Sequence, residues 1–346
     1  MSNLSTQITE GFQVILDQIP HLVVKRHGAT LVRNAAFAVP YTQKGLKDLP
    51  PLDKKKLQAA LIISAGPSIH KRRMLERIAA ANFQGTIVTV DGAYAGCLKA
   101  GIIPDYVLTL DPNEYRTVRW FGDPDFAQNS AVDNYFARQD LAQEFRKNSE
   151  KFNAETIALV NKMSSRTKAI ASTSVFKNVV LRLLEAKFDT YWWNPLADNP
   201  DAPESITRKL YNLNKLPCMN TGGTVGTAAW IFAATRLKIP VIGVVGMDFG
   251  YYRDNPVRET QHYPEMVENI GSEEEIEKYF FTSTFPVTGE QFYTDPTYYW
   301  YKQNFVEIAR NTKNARTFNC TEAGTLIDEN IPCVELEDYI TQHNPR

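Results

Sequence analysis

From Leu57 onward, short apolar runs alternate with stretches of helical spacing, and each run is too short for a helix and too continuous for a half-exposed strand. The runs are Leu61 to Ala65, Thr86 to Val90, Tyr106 to Leu110, Thr156 to Val160, Lys168 to Ala171, Thr190 to Trp193, Val241 to Val245 and Thr317 to Cys320. Strands that are apolar throughout belong to sheets covered on both sides. The pattern therefore predicts an α/β, Rossmann-like, mainly parallel sheet with helices on both faces. Ahead of it, residues 1–56 read as a helical lead-in, with an amphipathic helix around Gly11 to Ile19 and a connector marked by Pro40, Pro50 and Pro51. Two stretches break the alternation, about 120–149 and 251–291, and long irregular segments of this kind are expected to be lids or binding loops. Within the second, Glu273, Glu274, Glu275 and Glu277 read as a solvated helix start. A helix opening at Asp295-Pro296 leads to the last strand. The main domain is thus expected over 57–330, with a tail over 331–346.

Composition narrows the classes. Hydrophobic residues make up 43% and charged residues 22% of the 346, so an ordinary packed core is expected. A net charge of -1 leaves no basic footprint, and a nucleic-acid partner is not expected. Cys97, Cys218, Cys320 and Cys333 are far apart and lie in apolar contexts, which favours buried thiols over zinc ligands or disulfides. No secretory leader and no membrane span is legible, and the expected location is cytoplasmic.

Candidate chemistry gathers at the ends of the runs. Leu61 to Ala65 meets Gly66-Pro67-Ser68 and then a helical stretch, a strand, turn and helix start in which glycine permits close backbone approach and Ser68 is placed to cap. Such a helix start suits an anion. The next runs end in Asp91-Gly92-Ala93 and Asp111-Pro112-Asn113, and Val241 to Val245 ends in Gly246-Met247-Asp248. Asn220-Thr221-Gly222-Gly223-Thr224 opens an Ala-rich helix and is a second candidate anion site. Together they predict a nucleotide-type ligand: Gly66, Pro67, Ser68, Thr221, Gly222 and Gly223 on phosphate, with Asp91 and Asp111 on ribose hydroxyls or on a Mg²⁺ bridging a diphosphate. A structural sheet with polar strand ends is the alternative. GxGxxG, GxxxxGK[ST] and GxSxG are all absent. His262, beside Tyr263 in the second insertion, is a candidate general base, whereas His70 reads as a surface residue. Tyr298, Trp300 and Tyr301 read as helix packing. Tyr251 and Tyr252 follow the Asp248 strand end and are better placed to stabilise a leaving phosphate.

The ordered set Gly66-Pro67-Ser68, Asp91-Gly92-Ala93, Pro104-Asp105-Tyr106 with Asp111-Pro112, Thr221-Gly222-Gly223-Thr224-Val225, Gly246-Met247-Asp248 and Asn319-Cys320-Thr321-Glu322-Ala323-Gly324 resembles the family once called domain of unknown function 115. That family holds the motility accessory factors, implicated in flagellin glycosylation, and the archaeal 6-hydroxymethylpterin pyrophosphokinases. More distantly, the same motifs are similar to bacterial sialyltransferases that use CMP-sialic acid. The resemblance implies a glycosyltransferase that takes a CMP-linked, sialic-acid-like sugar to a protein or glycan acceptor. The runner-up it allows is a Mg²⁺-dependent pyrophosphokinase moving diphosphate from ATP to a pterin-like alcohol, with Asp91 and Asp111 on the metal. A non-catalytic nucleotide-binding protein is the third reading. The sialyltransferases carry Asn where Asp91 and Asp111 stand, and a Tyr supporting the leaving phosphate at the place of Tyr251 or Tyr252. Their histidine base before the helix of Tyr298 has no counterpart here, which leaves Asp248, His262 or Asp295 for that role.

Overall fold

A computed structural model of the chain describes residues 8, 10–132, 149–270 and 272–345. Its main sheet has eight parallel strands in the order β11-β7-β1-β2-β3-β4-β5-β6. These are β1 (Ala60–Ile63), β2 (Thr86–Val90), β3 (Tyr106–Thr109), β4 (Lys168–Ser172), β5 (Asp189–Pro195), β6 (Cys218–Met219), β7 (Val241–Val245) and β11 (Arg316–Asn319). Both faces are packed, because alternate residues of one strand enter different cores. Tyr106 and Leu108 join the cluster of Ile62, Trp230 and Phe305, while Val107 joins that of Ala171, Val179 and Trp192. The fold is α/β and Rossmann-like, as the apolar runs predict.

One run is reassigned. Thr156 to Val160 lies inside the Ser149–Met163 helix, where Thr156 and Val160 are buried one turn apart and Glu155 and Ala158 between and beside them face solvent. The two residues of β6 were too few to register as a run.

The lead-in is longer than its expected helix: Glu10–Ala38 is one helix of 29 residues. It is also built into the fold. Phe12 sets its ring edge-on to Phe281 at 5.3 Å and Tyr299 at 5.5 Å, and Asn34 donates to the Ser174 carbonyl at 2.7 Å. The described part of the tail, 331–345, is packed on the fold as well. Leu336, Tyr339 and Ile340 of the Leu336–His343 helix lie in the largest core, and the Tyr339 hydroxyl donates to the Ala60 carbonyl of β1 at 2.7 Å. Of the insertion read at 120–149, residues 133–148 lie outside the described residues; the rest holds a short helix, Phe126–Ser130, and the end of a 3-10 turn, Thr117–Phe121.

The second insertion contains a small antiparallel sheet, β8-β10-β9, made from β8 (Tyr251–Tyr252), β9 (Phe281–Thr284) and β10 (Gln291–Thr294). Tyr251, Val257, Met266, Ile276, Phe280 and Tyr293 form its own core, so it is a folded cover and not an open loop. Its four glutamates are exposed around the 3-10 turn Ile276–Tyr279, in keeping with a solvated turn. All four cysteines are free thiols; Cys97 and Cys320 are buried, whereas Cys218 is exposed, against expectation, at the edge strand β6. Among the described residues no helix is long and apolar enough to cross a membrane.

Candidate active site

Strands β1 to β6 are laid outward toward one edge, and the chain then returns to the other side of β1 to place β7. At such a reversal the loops beyond two neighbouring strands part in opposite directions and leave a crevice, the usual ligand position in open α/β sheets. Gly66 follows β1 there, and Asp248 follows β7. The Asp248 carboxylate accepts the Ser68 amide at 2.9 Å and the Ser68 hydroxyl at 2.5 Å. This corrects the expectation that Ser68 caps its helix. It is the first residue of the four-residue helix Ser68–Lys71, preceded by Pro67, and both its donors are spent on Asp248. Gly66 is explained by the same contact. A Cβ at Gly66 would stand 2.5 Å from Asp248 Oδ1 and 2.6 Å from the Gly246 carbonyl, so the close approach here is protein against protein. Burial pushes Asp248 up to about 6, against the Ser68 hydrogen bonds and the Arg72 charge.

The second strand end is close by, since a Cβ on Gly92 would touch Ala65 at 2.9 Å. Asp91 is buried and accepts from the Gly92 amide at 2.7 Å and the Thr109 hydroxyl at 2.7 Å. Burial, reinforced by the charge of Asp111, lifts it to about 7. Asp111 is exposed and accepts from the Asn113 amide at 2.8 Å. An aspartate that binds its proton more tightly in the native state than in the unfolded chain, where its pKa is about 3.9, lowers stability as pH rises between those two values. Asp91→Asn keeps the shape without the titration. Its melting temperature relative to wild type is expected to climb from pH 4 to pH 7 and then level off; a difference that does not change with pH would show that Asp91 holds no proton in the fold.

Thr221, Gly222 and Gly223 form the turn after β6. Gly222 and Gly223 take positive φ of 60° and 94°, which suits glycine, and their amides bond Asn220 Oδ1 at 2.9 Å and Thr221 Oγ1 at 3.3 Å. Thr224 caps the following helix, Val225–Ile231, through the Thr227 amide at 3.0 Å. The turn reaches the same end of the sheet as Ser68, because Gly226 packs against Ser64, where a Cβ would meet Oγ at 2.5 Å. On its other side Gly223 lies against the Tyr301 ring.

Tyr301 leads to the group with the clearest catalytic geometry. It belongs to the Pro296–Asn311 helix, whose start is fixed by Pro296 and by Asp295, the N-cap, which accepts the Tyr298 amide at 2.7 Å. The other oxygen of Asp295 accepts from two groups, His262 Nδ1 at 2.9 Å and the Tyr251 hydroxyl at 2.7 Å. A carboxylate with three donors is held in one orientation and stays ionised. Burial works against its charge, yet the His262 charge and the hydrogen bonds keep Asp295 below the usual carboxylate value. For His262, burial lowers the pKa, but the Asp295 charge and hydrogen bond outweigh it and the balance lies above the ordinary histidine value. With Nδ1–H given to Asp295, the Nε2 lone pair is the free base.

The imidazole stands edge-on to Tyr298 at 4.7 Å and to Tyr301 at 6.3 Å between ring centroids. Tyr301 in turn feels Asp111, whose charge adds to burial and to Asp295 in lifting its hydroxyl to about 12. A chain of neighbours thus runs from Asp295 and His262 through Tyr301 to Gly223, and the charge of Asp111 is felt by both Tyr301 and Asp91. Tyr251 donates its hydroxyl hydrogen bond to Asp295 and so helps to position it, while Tyr252 points to the opposite face of β8. Asp295 and Tyr301 were the members least legible in the sequence. Asp-Pro marks a helix start, but nothing local joins it to a histidine 33 positions earlier.

The donors present do not make a preformed Mg²⁺ site. Both oxygens of Asp91 already accept hydrogen bonds, the group is pushed toward its neutral form, and among the described residues no three His, Cys, Asp or Glu side chains converge to hold a metal.

Fold and site together define a Rossmann-like α/β protein whose crevice is roofed by a small antiparallel sheet. Residues 38–174 match the 6-hydroxymethylpterin diphosphokinase MptE-like family. The match takes in Gly66 to Ser68, Asp91 and Asp111 and ends before the Thr221 turn. An 85-residue stretch is 32% identical to an uncharacterized protein of Treponema pallidum (strain Nichols), over 25% of this chain and 39% of that one. Among solved structures, the MAf glycosyltransferase of Magnetospirillum magneticum AMB-1 superposes on 92% of this chain and 40% of its own with a TM-score of 0.52 at 15% identity. The chain thus spans about two fifths of the length of either relative. The resemblance carried by the motifs holds, in sequence to the MptE-like family and in fold to the glycosyltransferase.

Proposed function

We propose that this chain is a glycosyltransferase that moves a sugar from a nucleotide donor, a CMP-activated sialic-acid-like sugar, to a hydroxyl on a protein or glycan acceptor. The observation that carries this reading is the Tyr251–Asp295–His262 relay at the start of the helix that carries Tyr301. Glycosyl transfer to a hydroxyl needs one positioned base, and His262 Nε2 takes the acceptor proton as the acceptor oxygen bonds to the anomeric carbon. The bond from that carbon to the donor phosphate breaks, and its electron pair leaves on the nucleotide. Asp295 stabilises the imidazolium that forms, and Tyr251 fixes the carboxylate. Gly223 and Tyr301 would border the donor, with Asp91 and Asp111 on its ribose. The resemblance to bacterial sialyltransferases suggests the CMP donor, and the shared fold with a glycosyltransferase supports glycosyl transfer as the reaction class.

A second reading, a pyrophosphokinase moving diphosphate from ATP to a pterin-like alcohol with Mg²⁺, is favoured by the family match over residues 38–174. A thermal-shift panel of CMP, CDP, UDP, GDP, ATP and AMP, with and without Mg²⁺, separates the two, since a ligand bound only by the native state raises its melting temperature. The proposal expects CMP to stabilise best and without metal, and a CMP-linked sugar to be turned over. Stabilisation by ATP only with Mg²⁺ would transfer the assignment to the pyrophosphokinase, and CMP binding without turnover to a nucleotide-binding protein.

A further inference from the structure

The chain leaves β7 through a strained turn. Phe249, directly after Asp248, takes a left-handed φ of 47°, a conformation that a bulky side chain keeps only where its surroundings enforce it. They enforce it from both sides. The Asp248 carbonyl accepts the Thr325 amide at 2.7 Å, and a Cβ on Gly324 would stand 2.3 Å from the same oxygen. Gly250, on the other side, has no room for a side chain, since a Cβ there would meet the Tyr293 carbonyl and the Thr325 methyl, each at 2.7 Å. The turn aims the Phe249 carbonyl at two buried hydroxyls, Thr294 at 2.9 Å and Thr325 at 2.7 Å. The second acceptor within reach of Thr294, the Asp295 carbonyl, is farther away at 3.3 Å.

Thr294 is the last residue of β10, whose pairing with β8 runs from Phe292 opposite Tyr252 to Tyr293 opposite Tyr251 and ends there. One step beyond that pairing, the Thr294 hydroxyl continues the attachment through Phe249, and the next residue is Asp295. The buried Asp295 carboxylate serves donors from three places: the Tyr298 amide of its own helix, Tyr251 of β8, and His262 just ahead of the Tyr263–Ile270 helix. It can do so only from one position. The cap fixes that position on the helix side, and Thr294 is the neighbour that fixes it on the strand side.

We infer that Thr294 is a positioning residue: by clasping the Phe249 carbonyl it fixes the point where β10 hands over to the Pro296–Asn311 helix, and with it the Asp295 carboxylate against His262 Nδ1. Thr325 shares the carbonyl but follows β11 and is not joined to Asp295 along the chain. The same short stretch, Asp248-Phe249, therefore ties the Ser68 pairing to the His262 pairing.

The His262 titration reads this directly. Asp295 and Glu265 favour its imidazolium, burial opposes it, and the rings of Tyr298 and Tyr301 stand beside it; of these only the Asp295 contact depends on Thr294. The measurement is NMR titration of the full chain carrying isotope-labelled histidine, without ligand, with the His262 signal assigned by its loss in His262→Gln. Thr294→Val removes the hydroxyl and keeps the shape. The His262 midpoint should then fall by about half a pH unit or more, about a threefold loss of proton affinity, as burial outweighs a loosened Asp295. Thr294→Ser keeps the hydroxyl and should titrate as wild type. Thr325→Val takes the other hydroxyl from the same carbonyl, and it should lower the melting temperature and leave the midpoint in place. A purely structural role would give the two valine variants the same titration. If Thr294→Val does not fold, Thr294→Ala, which sets no methyl against the Phe249 carbonyl, is measured in its place. The inference is overturned if the folded variant titrates as wild type, or if Thr325→Val moves the midpoint equally. On the glycosyl-transfer reading, and resting on it, Thr294→Val also lowers kcat with KM unchanged. A shifted midpoint in a protein whose wild type releases no CMP from a CMP-activated sugar would overturn that reading and support the positioning role.

Discussion

Replacing His262 with Gln is expected to lower kcat by roughly 10²- to 10⁴-fold, the usual worth of a positioned general base, with KM little changed. In the proposed reaction the imidazole would meet the acceptor proton in the transition state and contribute little to holding the donor. Release of CMP from a CMP-activated sugar in the presence of acceptor is the measurement. The pH profile carries a second signature. A base works only when deprotonated, so kcat/KM should rise with pH, and its midpoint should lie above the ordinary histidine value of about 6.5 because Asp295 favours the imidazolium. Asp295→Asn removes that charge, and the midpoint should move down while kcat falls. The same pairing adds stability that is fully present below the unfolded histidine pKa and is lost as pH rises through the native one. Unchanged turnover in a folded His262→Gln variant would remove the histidine from the reaction.

Gly66→Val is expected to damage the fold before it can report on any ligand. The first added carbon would sit 2.5 Å from Asp248 Oδ1 and 2.6 Å from the Gly246 carbonyl, and the second of these is backbone that cannot swing away. Overpacking a tight site costs about 1–3 kcal/mol, and displaced Asp248 would leave the buried Ser68 amide and hydroxyl unpaired for about 1–3 kcal/mol more. Chemical denaturation should therefore show a loss of several kcal/mol, or the variant should not accumulate as folded protein. Wild-type stability would mean that the turn relaxes without giving up the Ser68–Asp248 pairing. A loss of nucleotide binding in this variant is consequently no test of phosphate contact at Gly66.

The strands were legible where burial on both faces makes them apolar throughout, as in Thr86 to Val90 and Val241 to Val245. Thr156 to Val160 has the same composition and misleads, because five apolar or β-branched residues fit one turn and a half of helix as well as a strand, and only the exposure of Glu155 and Ala158 shows the helical period. The positions of Asp91, Asp111 and Asp248 after strands were readable, since strand ends follow from strand assignment. Their bonding was not. Asp248 and Ser68 are 180 positions apart, and their contact depends on β7 being placed beside β1. The His262–Asp295 pair rests likewise on the cover sheet folding back over the helix start, which no local pattern encodes. The alternation along β8 could have told that Tyr251 and Tyr252 serve different faces, had a two-residue strand been recognisable.

The late arrival of β7 has a consequence for dissection of the molecule. β1 is paired on one side by β2 and on the other by β7, from Ala60 opposite Ile242 to Ile63 opposite Val245. A fragment ending near residue 174, the stretch that the MptE-like family match covers, would retain β1 to β4 and leave β1 as a bare edge of four apolar residues, Ala60-Leu61-Ile62-Ile63. An uncharged, unprotected edge of this sort recruits other chains through its free amides and carbonyls. The family-matched stretch is therefore a poor unit to excise, and solubility of any shortened form should return only when β7 is included to close that edge.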